Sequence, residues 1–141
     1  MGKKRITTAG GGENAQAKAS SRGSKRRIER GTLYINSTYN NTTMLLADEK
    51  GNTAMWSSSG SLGFKGAKKG TPFAAGKVGE ALADKAINAG LKEIDIVVKG
   101  VGAGRESSIR SFISKGVAIS SIKDKTPVPF NGPKAPKPRR V

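Results

Sequence analysis

The chain has 141 residues, with 26 Lys or Arg against 10 Asp or Glu, no Cys and no His, for a formal net charge of +16. That length fits one domain with a modest core. Without Cys or His there are no disulfides, Cys/His zinc sites, cysteine nucleophiles or Ser-His-Asp chemistry, and the surplus charge asks for a polyanionic partner, nucleic acid before anionic membrane.

The absence of Cys fits a reducing compartment. No apolar run approaches the ~18 residues of a membrane span. The start, MGKKRITTAGGGENAQ, has no apolar h-region, so a cytoplasmic protein without a membrane partner is expected.

Charge divides the chain unevenly. Residues 1–31 hold nine basic and two acidic residues, residues 32–122 eleven and seven, and residues 123–141 six and one. The first segment, poor in large aliphatics, reads as a basic arm without structure of its own. The middle segment reads as a single α/β domain. The last, with all but one of the six prolines, reads as an extended, partly polyproline-like arm.

Within the middle segment, Thr32–Thr38 and Thr42–Asp48 are β-rich and flank a turn at Tyr39-Asn40-Asn41. A second turn, Glu49-Lys50-Gly51-Asn52, leads into a third strand, Thr53–Ser58. A glycine- and lysine-rich loop covers residues 60–70. Thr71-Pro72 then reads as N-cap and first helical residue of a helix reaching about Ala89 and stopping at Gly90. Its apolar stripe is Ala75, Val78, Leu82, Ala86 and Ala89, and Gly76 and Gly79 suggest close helix–sheet packing.

The run Glu93–Lys99 is apolar on both faces, as a buried parallel strand should be. A second helix, about Arg105–Lys115, carries Ile109, Phe112 and Ile113 on one face and ends at Gly116. Val117–Lys123 closes the domain as a last strand. The order βββαβαβ predicts a mixed five-stranded sheet, a meander extended by two right-handed crossovers, with helices packed on it.

Two glycine motifs invite nucleotide readings and fail on spacing. Counting from Gly100 or Gly102 puts Arg105 or Ser107 where a dinucleotide fingerprint needs its third glycine. What remains of residues 100–105 is either an anion site built from a helix start and Arg105, or simply a tight strand-to-helix turn. The stretch from Gly70 to Val78 has the wrong spacing for a phosphate loop and Val78 where Ser or Thr is required. No cofactor and no small-molecule substrate are expected.

Glu80 with Asp84, and Glu93 with Asp95, are the carboxylate pairs a metal-dependent nuclease would draw on. Lys77, Lys85 and Lys92 lie beside them in sequence, and the first strand has no acid. A charge-balanced, solvated surface is the better reading, and an enzyme is not expected.

Three basic clusters remain: Arg22, Lys25, Arg26, Arg27 and Arg30; Lys65, Lys68 and Lys69; and Lys134, Lys137, Arg139 and Arg140. Two lie on arms and one on a glycine loop able to approach a backbone closely, which points to phosphate contacts. The seven aromatics (Tyr34, Tyr39, Trp56, Phe64, Phe73, Phe112, Phe130) fall mostly at expected core positions. That favours folded RNA, read through backbone and shape, over stacking on single strands.

Several of these stretches also carry a resemblance. Tyr39-Asn40-Asn41-Thr42, Lys50-Gly51-Asn52, Gly63-Phe64-Lys65-Gly66, Lys68-Lys69, Thr71-Pro72-Phe73-Ala74-Ala75 and Gly104-Arg105-Glu106-Ser107 match, in order, motifs of one family. So do Lys99-Gly100, Gly102, Thr126-Pro127, Pro129, Asn131-Gly132 and Arg139-Arg140-Val141. Over about residues 25–141 the chain resembles the universal small-subunit ribosomal protein eleven family. The resemblance implies an RNase-H-like α/β fold on the platform of the small ribosomal subunit. It also implies small-subunit ribosomal RNA and neighbouring platform proteins as partners, with messenger RNA and the ribosomal RNA 3′ end nearby. The RNA contacts it carries over are Asn40, Asn41, Lys65, Lys68, Lys69, Arg105 and the C-terminal arm. Val101 and Ala103 stand where the family commonly has prolines, which implies a less rigid loop.

Overall fold

A computed structural model describes residues 27–138 and Arg140. It contains β1 (Arg30–Ser37), β2 (Thr42–Asp48), β3 (Thr53–Ser58), a 3-10 turn at Gly66–Gly70, α1 (Pro72–Asn88), β4 (Glu93–Lys99), α2 (Arg105–Ile113) and β5 (Ala118–Asp124). The five strands form one mixed sheet in the order β3-β2-β1-β4-β5. β1–β2 and β2–β3 pair antiparallel, and β1–β4 and β4–β5 pair parallel.

Strand alternation sorts the side chains cleanly. Leu33, Ile35, Met44, Leu46, Ile94, Ile96 and Val98 are buried on one face, while Tyr34 and Asn36 between them are exposed. Both helices join this core through Val78, Leu82, Ala86 and Phe112. The reason both cover the same face is topological. The crossovers β3-α1-β4 and β4-α2-β5 step across the sheet in the same direction, and right-handed connections then place their helices on one side. β4 therefore departs from the doubly buried strand expected of it: Ile94, Ile96 and Val98 are buried, but Asp95 and Val97 look onto an open face.

Local chemistry sets the element ends. Asp48 Oδ1 accepts from the Lys50 and Asn52 amides at 3.0 and 2.9 Å, and Gly51 takes φ 87°, closing the β2–β3 hairpin. Thr71 Oγ1 caps α1 by accepting from the Ala74 amide at 3.3 Å, with Pro72 as first helical residue. At its other end the Leu91 amide donates to the Ala86 carbonyl and the Gly90 amide to that of Ile87, with Gly90 at φ 91°. This paired arrangement is a Schellman stop.

Gly79 serves a different purpose from the helix–sheet contact anticipated. A Cβ there would lie 2.8 Å from the Ser108 carbonyl oxygen and 3.1 Å from Ser111 Cβ, so the glycine lets α1 and α2 meet closely. The folded body also begins before residue 32 and ends after residue 122. Ile28 is buried, the Lys92 amide donates to the Glu29 carbonyl, and β5 includes Lys123 and Asp124.

Candidate nucleic-acid interface

β1, β3, β4 and β5 all run in the same direction, so the segments that leave them gather at one end of the sheet. These are the Thr38–Asn41 hairpin, the loop after β3, the glycine loop after β4 and the start of the C-terminal arm. In the hairpin the Thr38 amide donates to the Asn41 carbonyl at 2.8 Å, and Thr38 Oγ1 accepts from the Asn41 amide at 3.1 Å.

Glycines lock these segments together backbone to backbone. A Cβ on Gly70 would fall 2.1 Å from the Tyr39 carbonyl oxygen, so the lysine loop is seated directly on the hairpin. Gly100, at φ 105°, has the same relation to the Ser37 carbonyl at 2.1 Å, and Gly102 to that of Thr38 at 2.2 Å. The Gly102 amide donates to the Ser37 carbonyl at 2.9 Å. The glycine loop is thus held by packing, although Val101 and Ala103 are not prolines.

Two sequence-predicted groups lie on segments that join here: Gly70, which ends the loop carrying Lys65, Lys68 and Lys69, packs on the backbone of Tyr39-Asn40, beside Asn41. Asn40, Lys65 and Lys68 are exposed, and Lys69 and Asn41 are half-buried. The Asn41 side-chain Nδ2 donates to Thr43 Oγ1 at 3.4 Å, while its Oδ1 is buried with no partner among the described residues. Reciprocal bonds between Ser58 and Ser61 hold the loop's start: the Ser58 amide donates to Ser61 Oγ at 2.9 Å, and the Ser61 amide to Ser58 Oγ at 3.2 Å.

The aromatics overturn the expectation of a mostly buried set. Of the seven only Phe112 is buried; Tyr39 is 78% exposed, Phe73 65% and Trp56 57%. Phe73 packs edge-on against Phe64 at 6.2 Å, and the Lys77 ammonium lies 5.5 Å from its ring. Aromatic burial therefore does not disfavour stacking here, and Tyr39 and Phe73 are interface candidates that sequence reasoning missed. Tyr39 sits at a hairpin tip and Phe73 in the first turn of a helix, where burial is not the default.

Arg105 is engaged within the protein. It donates to the Gly100 carbonyl at 2.7 Å, to Thr126 Oγ1 at 3.4 Å and to Asp124 Oδ2 at 2.6 Å. Thr126 Oγ1 also accepts from the Gly100 amide at 3.3 Å. Arg105, Asp124 and Thr126 thus staple the root of the C-terminal arm to the glycine loop. Hydrogen bonds from the Thr126 hydroxyl, the Arg105 guanidinium and the Thr126 amide hold the Asp124 carboxyl well below the usual carboxylate range.

A carboxyl depressed in this way supports the folded arrangement at every pH above its ordinary value and loses that support only as pH falls through the lowered one. The Thr126 amide shift in NMR should therefore stay flat from about pH 8 down through the ordinary carboxylate range near 4. Asp124→Asn should move that resonance and speed its hydrogen exchange at neutral pH; unchanged exchange would show that the staple does not hold the arm.

Other expected contacts lie elsewhere. Arg27 and Arg30 sit at the opposite end of β1, near Asp48 and Glu49, with Arg27 paired to Glu29 at 3.6 Å. Eight-residue β1 separates them from the loops by roughly 20 Å. Lys134, Lys137 and Arg140 are exposed on the arm. Arg22, Lys25, Arg26 and Arg139 lie outside the described residues. The carboxylates are dispersed: Glu80 pairs with Lys77, Asp84 with Lys115, and Asp95 accepts from Ser121 Oγ on the open face.

Compared with known families, residues 31–140 match the model described as Ribosomal protein S11.

Proposed function

Because the chain belongs to the ribosomal protein S11 family, a structural family of small-subunit proteins that bind ribosomal RNA, we propose that the glycine-locked end of the sheet is its main grip on that RNA. The observation that carries the reading is the seating of Gly70 on the Tyr39-Asn40 backbone, which packs the end of the lysine-bearing loop against the hairpin turn. A loop whose backbone is already packed loses little further backbone freedom when its lysines meet phosphates. The arm, anchored by Asp124 and Thr126, extends the grip with Lys134, Lys137, Arg139 and Arg140. Arg105 serves chiefly as the staple of that arm, and Arg27 and Arg30 provide a second basic position at the far end, with Arg22, Lys25 and Arg26 preceding them in sequence.

We further infer a position on the subunit platform, beside neighbouring platform proteins and the cleft holding messenger RNA and the ribosomal RNA 3′ end, in cytoplasmic ribosomes. The motif resemblance supports this placement.

Binding of small-subunit ribosomal RNA fragments should be steeply salt-dependent. Contacts to ~6 phosphates give a log–log slope of roughly −5. Deleting residues 127–141 removes four cations and leaves the staple intact, so the slope should flatten by up to about 3. A slope near zero for the full chain would sink the electrostatic account, and an unchanged slope on truncation would show that the arm makes no contact.

A further inference from the structure

With both helices on one face, the other face of the sheet carries a continuous row of side chains at matched register. Trp56 pairs with Leu45, Leu45 with Tyr34, Tyr34 with Val97, and Val97 with Lys123, one residue from each of the five strands. Trp56 is 57% exposed and Tyr34 43%. The two rings stand two strands apart, about 9–10 Å. Toward the loop end, a groove lies between Tyr34, Asn36, Val97, Lys99, Lys125 and Pro127.

Two exposed aromatic rings in line on a sheet mark a surface that something covers. The charge around them decides between occupants. Lys123 ends the row and Lys99 and Lys125 border it, whereas lysine is depleted where proteins meet proteins. The carboxylates near this face, Glu49, Glu93 and Asp95, lie toward its other end, where Arg30 shares a pocket with Glu49 and Asp95, and Asp95 already accepts from Ser121. Aromatic faces flanked by lysines suit bases joined by phosphates.

We propose that the open sheet face is a second RNA-contact surface, which takes unpaired nucleotides by stacking. One base enters the groove against Tyr34, where the Asn36 amide offers both donor and acceptor to its edge. A second base lies on Trp56, across Leu45. Lys99, Lys123 and Lys125 meet the intervening and flanking phosphates. This rests on the chain's binding RNA, but it uses a different face and a different chemistry from the lysine loop.

Trp56 is the sole tryptophan, so its fluorescence reports this face alone. Titrating the full chain with a six-nucleotide adenylate RNA should quench it saturably. Tyr34→Ala should weaken that binding roughly five- to hundredfold, the effect of removing one stacked base, and Tyr34→Phe should restore it. The triple variant Lys65→Ala/Lys68→Ala/Lys69→Ala should keep the quenching within a few-fold while losing affinity for structured ribosomal RNA. Absence of saturable quenching overturns the proposal. So does quenching that survives Tyr34→Ala or disappears in the lysine-loop variant. In intact small subunits, ultraviolet cross-linking should attach nucleotides to peptides containing Tyr34 or Trp56. Cross-links from those peptides to protein instead would make the face a protein-docking surface and refute the RNA assignment. If structured RNA binding is insensitive to the lysine loop while the quenching behaves as stated, the loop-end reading fails and the stacking surface stands.

Discussion

Gly100→Ala is expected to lower stability by about 3–5 kcal/mol, seen as a fall in the urea midpoint at constant m-value. Two independent penalties combine at this position. Its φ of 105° is a region that L side chains avoid, costing on the order of 1–3 kcal/mol. A Cβ would also meet the Ser37 carbonyl oxygen at 2.1 Å, and forcing an atom into such packing costs about 1–3 kcal/mol. Gly51→Ala separates the two terms, because Gly51 has φ 87° but no atom within 4 Å of its would-be Cβ. It should show only the conformational penalty, about 1 kcal/mol. Equal losses at both positions would mean that the contact between the glycine loop and β1 contributes nothing.

The triple substitution Lys65→Ala/Lys68→Ala/Lys69→Ala is the second change with a large consequence, this time on binding. Removing three phosphate contacts should reduce the salt slope by about 2–3 and weaken affinity for folded ribosomal RNA roughly a hundredfold at ~0.1 M salt. Stability should change by no more than about 0.5 kcal/mol, since none of the three lysines is buried. A weakened affinity with an unchanged slope would mean that these side chains act through shape or packing and not through charge.

The element order was legible in the chain because its signals are local. Runs rich in β-forming residues on either side of the Tyr39-Asn40-Asn41 turn mark β1 and β2, Thr71-Pro72 starts α1, and Gly90 stops it, and each of these is decided within a few residues. The sharing of one face by both helices was not legible, because it depends on strand order, which no short window of sequence contains. The same limit explains Gly79: a helical glycine signals a close neighbour without saying which one. At the interface, lysine clusters were visible as composition, but their seating on the hairpin is a contact between Gly70 and Tyr39, 31 positions apart. Arg105 was visible as a cation; its commitment to Asp124 and Thr126 required the fold. The aromatics misled because Tyr34 and Trp56 have the strand propensity of core residues and sit at the alternate, outward phase.

The parallel pairing of β1 with β4 also orders events in time. Arg30 pairs with Glu93, 63 positions further on, whereas the β1–β2–β3 meander is made of neighbours. A growing chain can therefore close the meander well before β4 exists, and the sheet's middle must wait for a long loop to close. The clamp of Gly100 and Gly102 on Ser37 and Thr38 waits with it, and so does the stapling of the arm by Asp124. The end of the sheet that we propose meets phosphate is thus the last part to acquire its full shape, completed only when the C-terminal third has been synthesised and docked.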